Sequence, residues 1–183
     1  YLEAARGAKA AGAAAEERRN LLGFVQEWPE GDGEAWMRLA ELAAESDHGG
    51  WRAPVEQQAK AIELLPARVD ELLPRWMEWG ERHLQLIGFD RNNLGADRGP
   101  EGATTYELYR TAQAWLELGE HTRALGANRR LLAQLPGFLP ALDLAIEIAV
   151  AQGRDRDIVE AVASRVQRGG RTPRLDTVLA AVD

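Results

Sequence analysis

Residues 114–136 read AWLELGEHTRALGANRRLLAQLP. A helix-forming run reaches Gly119, a second run follows, and Pro136 stops it seventeen residues after the glycine. Gly12 and Pro29 repeat the seventeen-residue interval. That length holds one turn and one helix of about four turns. Glycine supplies the left-handed conformation that ends a helix, and proline cannot continue one. The stretch therefore predicts two helices folded back on each other at Gly119.

The interval recurs on a larger scale. Gly119 and Gly153, Leu108 and Leu142, and Pro136 and Gly170 are each 34 residues apart. A fixed period of this length is the mark of stacked helical hairpins. Composition agrees: 45 % of the 183 residues are apolar, enough for a core, and helix formers dominate while Val and Ile are sparse. The expected fold class is all-α.

Residues 105–138 resemble a tetratricopeptide repeat. The family places a large apolar residue early in its first helix, then a small residue, an aromatic, a turn glycine, an alanine early in the second helix and a closing proline. Leu108, Ala112, Trp115, Gly119, Ala124 and Pro136 stand at those places. Thr111 and Leu131 depart from the preferred Leu and Ala. The resemblance implies a right-handed superhelix of antiparallel helix pairs, a single domain over residues 1–183. Its units would be 1–32, 33–68, an irregular 69–104, 105–138 and 139–172, with a cap at 173–183 built on LDTVLAAVD (175–183). Trp36, Leu39, Ala40, Ala43, Ala61 and Pro66 place the second unit, and Leu142, Ala145, Gly153 and Ile158 the fifth. The second unit is two residues too long, and the excess falls in the turn SDHGGWRAP (46–54), where insertions are tolerated. The third reads as one long helix or one restarted at Pro74, followed by FDRNNLGADRGPEGAT (89–104), which has no apolar period. A loop that long is often functional.

Several function classes recede. There are no cysteines, hence no disulfide, thiolate metal site or thiol nucleophile. The net charge is −7 and the isoelectric point about 5.1, which disfavours nucleic acid as a partner. No apolar run is long enough to cross a bilayer, and FLPALDLAIEIAVA (138–151) reads as an amphipathic helix because Asp143 and Glu147 interrupt it. No signal peptide is visible, and the start at Tyr1 without Met fits a fragment or a processed form. The compartment stays open between cytoplasm and periplasm, and association with a membrane-bound assembly stays open too.

No catalytic constellation emerges. His48, His83 and His121 lack zinc-binding spacing, and the consecutive Ser46-Asp47-His48 cannot converge as a triad. Asp90, Asn92 and Asp97 lie in a partial calcium-loop pattern, with Gly95 and Glu101 in place but Leu94 where a ligand belongs. The plainer reading is a polar turn. No cofactor is expected. Arg129, Arg130, Arg154, Arg156, Arg165, Arg168, Arg171 and Arg174 make the C-terminal end basic. They read as a solvated face paired with Asp155, Asp157 and Glu160, or as a contact for an acidic partner or lipid headgroups. All six tryptophans are read first as buried. Trp51, Trp76 and Trp79 would become secondary partner contacts if exposed.

In the family, the first helix of each pair lines a concave face. The resemblance places Glu34, Met37, Glu41, Glu45, Met77, Tyr106, Tyr109, Gln113, Glu117, Asp143 and Glu147 on it. The family's carboxylate-binding Lys, Arg and Asn are missing from these places. Such an acidic, Tyr- and Met-bearing face suits a partner protein or peptide with a basic or amphipathic segment. The expected function is a non-enzymatic interaction scaffold, an accessory subunit or domain of a larger assembly. The alternative is a helical accessory domain of an enzyme such as a membrane-associated glycosyltransferase.

Overall fold

A computed structural model of the chain describes residues 1–46, 50–90 and 102–182. Among them stand ten α-helices and one 3-10 turn, and no strand. They fall into two compact units, Tyr1–Ile87 and Gly88–Asp183.

The N-terminal unit holds α1 (Leu2–Ala10), α2 (Ala14–Glu27), α3 (Gly33–Glu45), α4 (Arg52–Leu64) and α5 (Val69–Leu86), with the 3-10 turn Pro66–Arg68 leading into α5. The C-terminal unit holds α6 (Thr105–Glu117), α7 (His121–Gln134), α8 (Leu139–Gln152), α9 (Asp155–Gly169) and α10 (Pro173–Ala180). Within each unit every helix packs on its neighbours in sequence, and α6 also touches α8. No helix of the described chain is long and apolar enough to cross a membrane.

Two of the helix-pair turns share one hydrogen-bond pattern. After α1, Ala13 N–H reaches the carbonyl of Ala8 and Gly12 N–H that of Lys9; after α6, Glu120 N–H reaches Trp115 and Gly119 N–H reaches Leu116. Both glycines have positive φ, 71° and 74°. This is the two-bond C-terminal motif that needs a left-handed residue. Beyond the turn, Ala112 and Ala124 are both fully buried, so α6 and α7 meet through two small side chains. Thr104 caps α6 reciprocally with Glu107.

Two buried amides tie one helix pair to the next. Gln58 on α4 donates to the carbonyl of Leu72 on α5, and Asn128 on α7 donates to that of Ala141 on α8, each at 3.0 Å. Both side chains are fully buried, and the oxygen of each amide has no hydrogen-bond partner. The donor therefore carries the interaction.

One open reading is decided and two expectations change. Of the two readings of the third unit, the one long helix forms: α5 runs through Pro74 without restarting. Pro74 and Asp70, whose carbonyl loses its helical donor, are both exposed, so water can satisfy that carbonyl. The segment 138–151 is not amphipathic. In α8, Leu139, Leu142, Leu144, Ile146, Ile148 and Ala149 are all buried, because α7 and α9 pack on it and α6 touches it as well. The last helix starts at Pro173, ahead of the expected 175, since proline suits a first helical position.

Gly126 lies mid-α7 with nothing within 4 Å of an added Cβ. Gly126→Ala is therefore expected to raise stability by up to about 1 kcal/mol, whereas Gly119→Ala should lower it by about 1 kcal/mol. Urea unfolding of the two variants checks the opposite signs. Asn128→Asp sets a carboxylate against the Ala141 carbonyl and should cost about 2–4 kcal/mol, while Asn128→Leu should cost less. Equal losses in the two Asn128 variants would contradict the latch.

Candidate functional site

The face chosen from sequence is, in the N-terminal unit, a lattice of ion pairs. Arg68 bonds Glu34, lies 2.6 Å from Glu71 and sets its second amino group 3.7 Å from the Met37 sulfur. Arg75 reaches Glu41 at 2.6 Å. Glu34 and Arg68 are 34 residues apart, as are Glu41 and Arg75. Behind them, Arg38 grips Glu17 through two bonds of 2.8 and 3.0 Å and touches Glu41 at 3.2 Å. The Glu17 side chain is only 4 % exposed. Its carboxyl is held below the ordinary carboxylate range, first by the Arg38 hydrogen bond and against the cost of burial. Arg38 is correspondingly held above its usual value, again first by Glu17. A groove of about 230 Å³ opens over this pair between α1 and α3, with Arg6, Lys9 and Met37 on its walls.

The C-terminal unit also pairs carboxylates of the chosen face with arginines, at other spacings. Asp143 bonds Arg165 at 2.7 Å and Glu147 bonds Arg174 at 2.7 Å. Gln113 accepts from Arg110 at 3.0 Å. Tyr109 lies 6.4 Å from Tyr106, ring to ring, and its hydroxyl is pushed up by burial and then by the negative charge of Glu147.

Four of the expected carboxylates, Glu34, Glu41, Asp143 and Glu147, thus already hold arginines of this chain. Glu45 and Glu117 are exposed, and Met37, Met77 and Gln113 are half-buried. Tyr106 is fully buried and is withdrawn as a surface contact. At the first turn of α6 it packs inward, not onto the outer face that the resemblance implies.

Trp76 and Trp79 are buried, so neither is a secondary contact. Trp51 is half-buried and stacks on Trp79 with centroids 6.5 Å apart. Trp36 and Trp115 pack against core clusters but stay partly exposed, whereas Trp28 is 52 % exposed beside Phe24, contrary to the buried reading. Asp90 is exposed; Asn92 and Asp97, like Asp47 and His48, lie outside the described residues. Among the described residues no three His, Asp or Glu side chains converge as metal ligands.

The C-terminal arginines divide. Arg154 and Arg156 pair along α9 with Asp157 and Glu160, as the solvated reading expects, while Arg165 and Arg174 cross to α8. Sequence reasoning also missed Arg68, Arg75 and Arg82. They are seven residues apart and Glu34 and Glu41 share that spacing, which puts each set on one helix face.

No family model matches the chain, and no curated protein matches it.

Glu17→Gln should lower stability at neutral pH by about 1–2 kcal/mol, less than a fully buried pair because Arg38 is a quarter exposed. A depressed carboxyl stabilises the fold above its unfolded value near 4.5 and loses that contribution as pH falls further. Thermal melts from about pH 6 to about pH 3 should fall less steeply in the variant than in the parent chain. Parallel curves would show that Glu17 carries no such linkage.

Proposed function

We propose that this chain is a non-enzymatic protein-interaction scaffold, a tetratricopeptide-like right-handed solenoid whose first helices present a docking face to a partner protein or peptide. The observation that carries the reading is the pairing of Glu34 with Arg68 and of Glu41 with Arg75, each across 34 residues. Side chains one repeat apart meet on the helices that would line the face, as stacked identical units require. Sequential helix packing and the repeated glycine turns at Gly12 and Gly119 support the same architecture.

The partner meets a face whose charge is largely spoken for. A basic segment gains little from Glu34 or Glu41 unless it displaces Arg68 or Arg75, and such an exchange is nearly neutral in energy. Affinity then rests on half-buried groups within each unit, Met37 and Met77 in the N-terminal one and Gln113 in the C-terminal one, with the ion pairs setting register and orientation.

Site-specific photo-crosslinking tests this. With the probe at Met37, Met77 or Gln113, the intact chain should capture one discrete partner from its native extract. With the probe at Gln134 or Ala163, exposed on second helices, it should not. Equal capture from both sets, or a substrate turnover traced to the purified chain, would defeat the reading.

A further inference from the structure

The groove between α1 and α3 carries a charge imbalance that the ion pairs do not remove. Four carboxylates line it, and each is already matched. Glu17 is held by Arg38, Glu34 by Arg68 and Glu41 by Arg75. Asp32 caps α3, accepting from the Glu34 N–H at 2.9 Å, so its charge sits against the positive end of that helix. The cations of the same groove are not all matched. Arg6 and Lys9 stand one turn apart on α1 and are both exposed. Neither makes an ion pair among the described residues. Lys9 lies close enough to Glu17 for its charge to help hold that carboxyl low, behind the larger effect of the Arg38 hydrogen bond.

Between the charged walls the lining is apolar. Leu2 and Met37 are half-buried there, over the buried Ala5, Leu21 and Ala35. At about 230 Å³ the groove is smaller than the roughly 300 Å³ at which pockets for drug-sized molecules begin, so it suits individual side chains. Methionine adapts its shape to whatever apolar group is laid on it.

We propose that this groove is the receptor for an acidic side chain, glutamate or aspartate, of the docking partner, with an apolar neighbour of that residue seated on Met37 and Leu2. Arg6 and Lys9 take the carboxylate, and the apolar contact removes Met37 and Leu2 from water. The net charge of −7 repels acidic segments elsewhere, so capture of one depends on this local exception. The inference rests on the scaffold reading and sharpens it by setting the sign of the partner's charge. A basic side chain would meet two unmatched cations here and carboxylates that already hold arginines.

The test is fluorescence anisotropy of a labelled peptide of repeated Glu-Glu-Leu triplets, with Gln in place of each Glu as the neutral control. Both peptides are amidated at the C-terminus, so only side-chain carboxylates are read. The acidic peptide should bind about tenfold more tightly than the neutral one, and less tightly as salt is raised. Arg6→Gln and Lys9→Gln should each weaken its binding about threefold, and the double variant about tenfold. Met37→Ala should weaken it about threefold. Arg19→Gln, which removes the same charge from an exposed position of α2 outside the groove, should leave it unchanged. Thermal melts establish that each variant is folded. Arg6 and Lys9 are exposed, so their variants decide the matter even where Met37→Ala unfolds the chain. No preference for the acidic peptide, undiminished binding in the double variant, or equal losses in Arg6→Gln and Arg19→Gln overturns this site. If crosslinking at Met37, Met77 or Gln113 still captures a partner in that case, the scaffold reading stands without it; if that capture fails as well, both fall.

Discussion

The left-handed glycine turn is the constraint on which the rest of the structure depends. Gly12 and Gly119 each reverse the chain within two or three residues and spend the helix's orphan carbonyls on local N–H groups. A turn so short leaves the second helix nowhere to go but back along the first. Close approach then requires small side chains at the crossing, as Ala112 and Ala124 provide. The longer turn before Trp51 is the informative exception. Despite the longer connection, α3 and α4 still pack together.

A regular stack carries an electrostatic consequence. Once each helix pair follows the last at a fixed interval, a residue on one first helix stands beside its counterpart on the next. If those counterparts carried like charge, the face would repel itself. The chain sets Glu34 and Glu41 against Arg68 and Arg75, so these four charges cancel in pairs within an overall acidic protein. The buried amides do the complementary work inside. Gln58 and Asn128 reach a carbonyl of the following helix and so favour one register over a slide of one turn.

The helices and turns were legible because their signals are local. Glycine and proline punctuate the chain at a fixed interval, and Ala, Leu and Glu fill the space between. The face was legible only as a set of positions. Whether Glu41 is a free carboxylate depends on Arg75 two helices later, and no local pattern states that. Tyr106 escapes a local reading for a related reason: residues 104–108 are all buried, so the whole first turn of α6 is covered and a position count cannot tell an outer side chain there. In α8, Asp143 and Glu147 signalled an amphipathic helix, yet both lie on one narrow strip while the remaining circumference is covered. Residue type gave the charge, and packing on neighbouring helices decided its use.

Exchange of ion pairs sets a limit on what such a face can do. Displacing Arg75 from Glu41 by a partner's arginine makes one bond and breaks another, so the net gain is small even though the specificity is real. A neutral lattice therefore rejects partners whose charges cannot be placed in register, without holding the right one tightly. Tight holding needs groups that gain on binding: apolar surface taken from water, and charges that lack a partner in the free state. On the proposed reading, the half-buried Met37 and Met77 of the N-terminal unit are of the first kind. On that proposal, a division between selective ion pairs and a few anchors follows from Arg68 and Arg75 each standing 34 residues from its carboxylate.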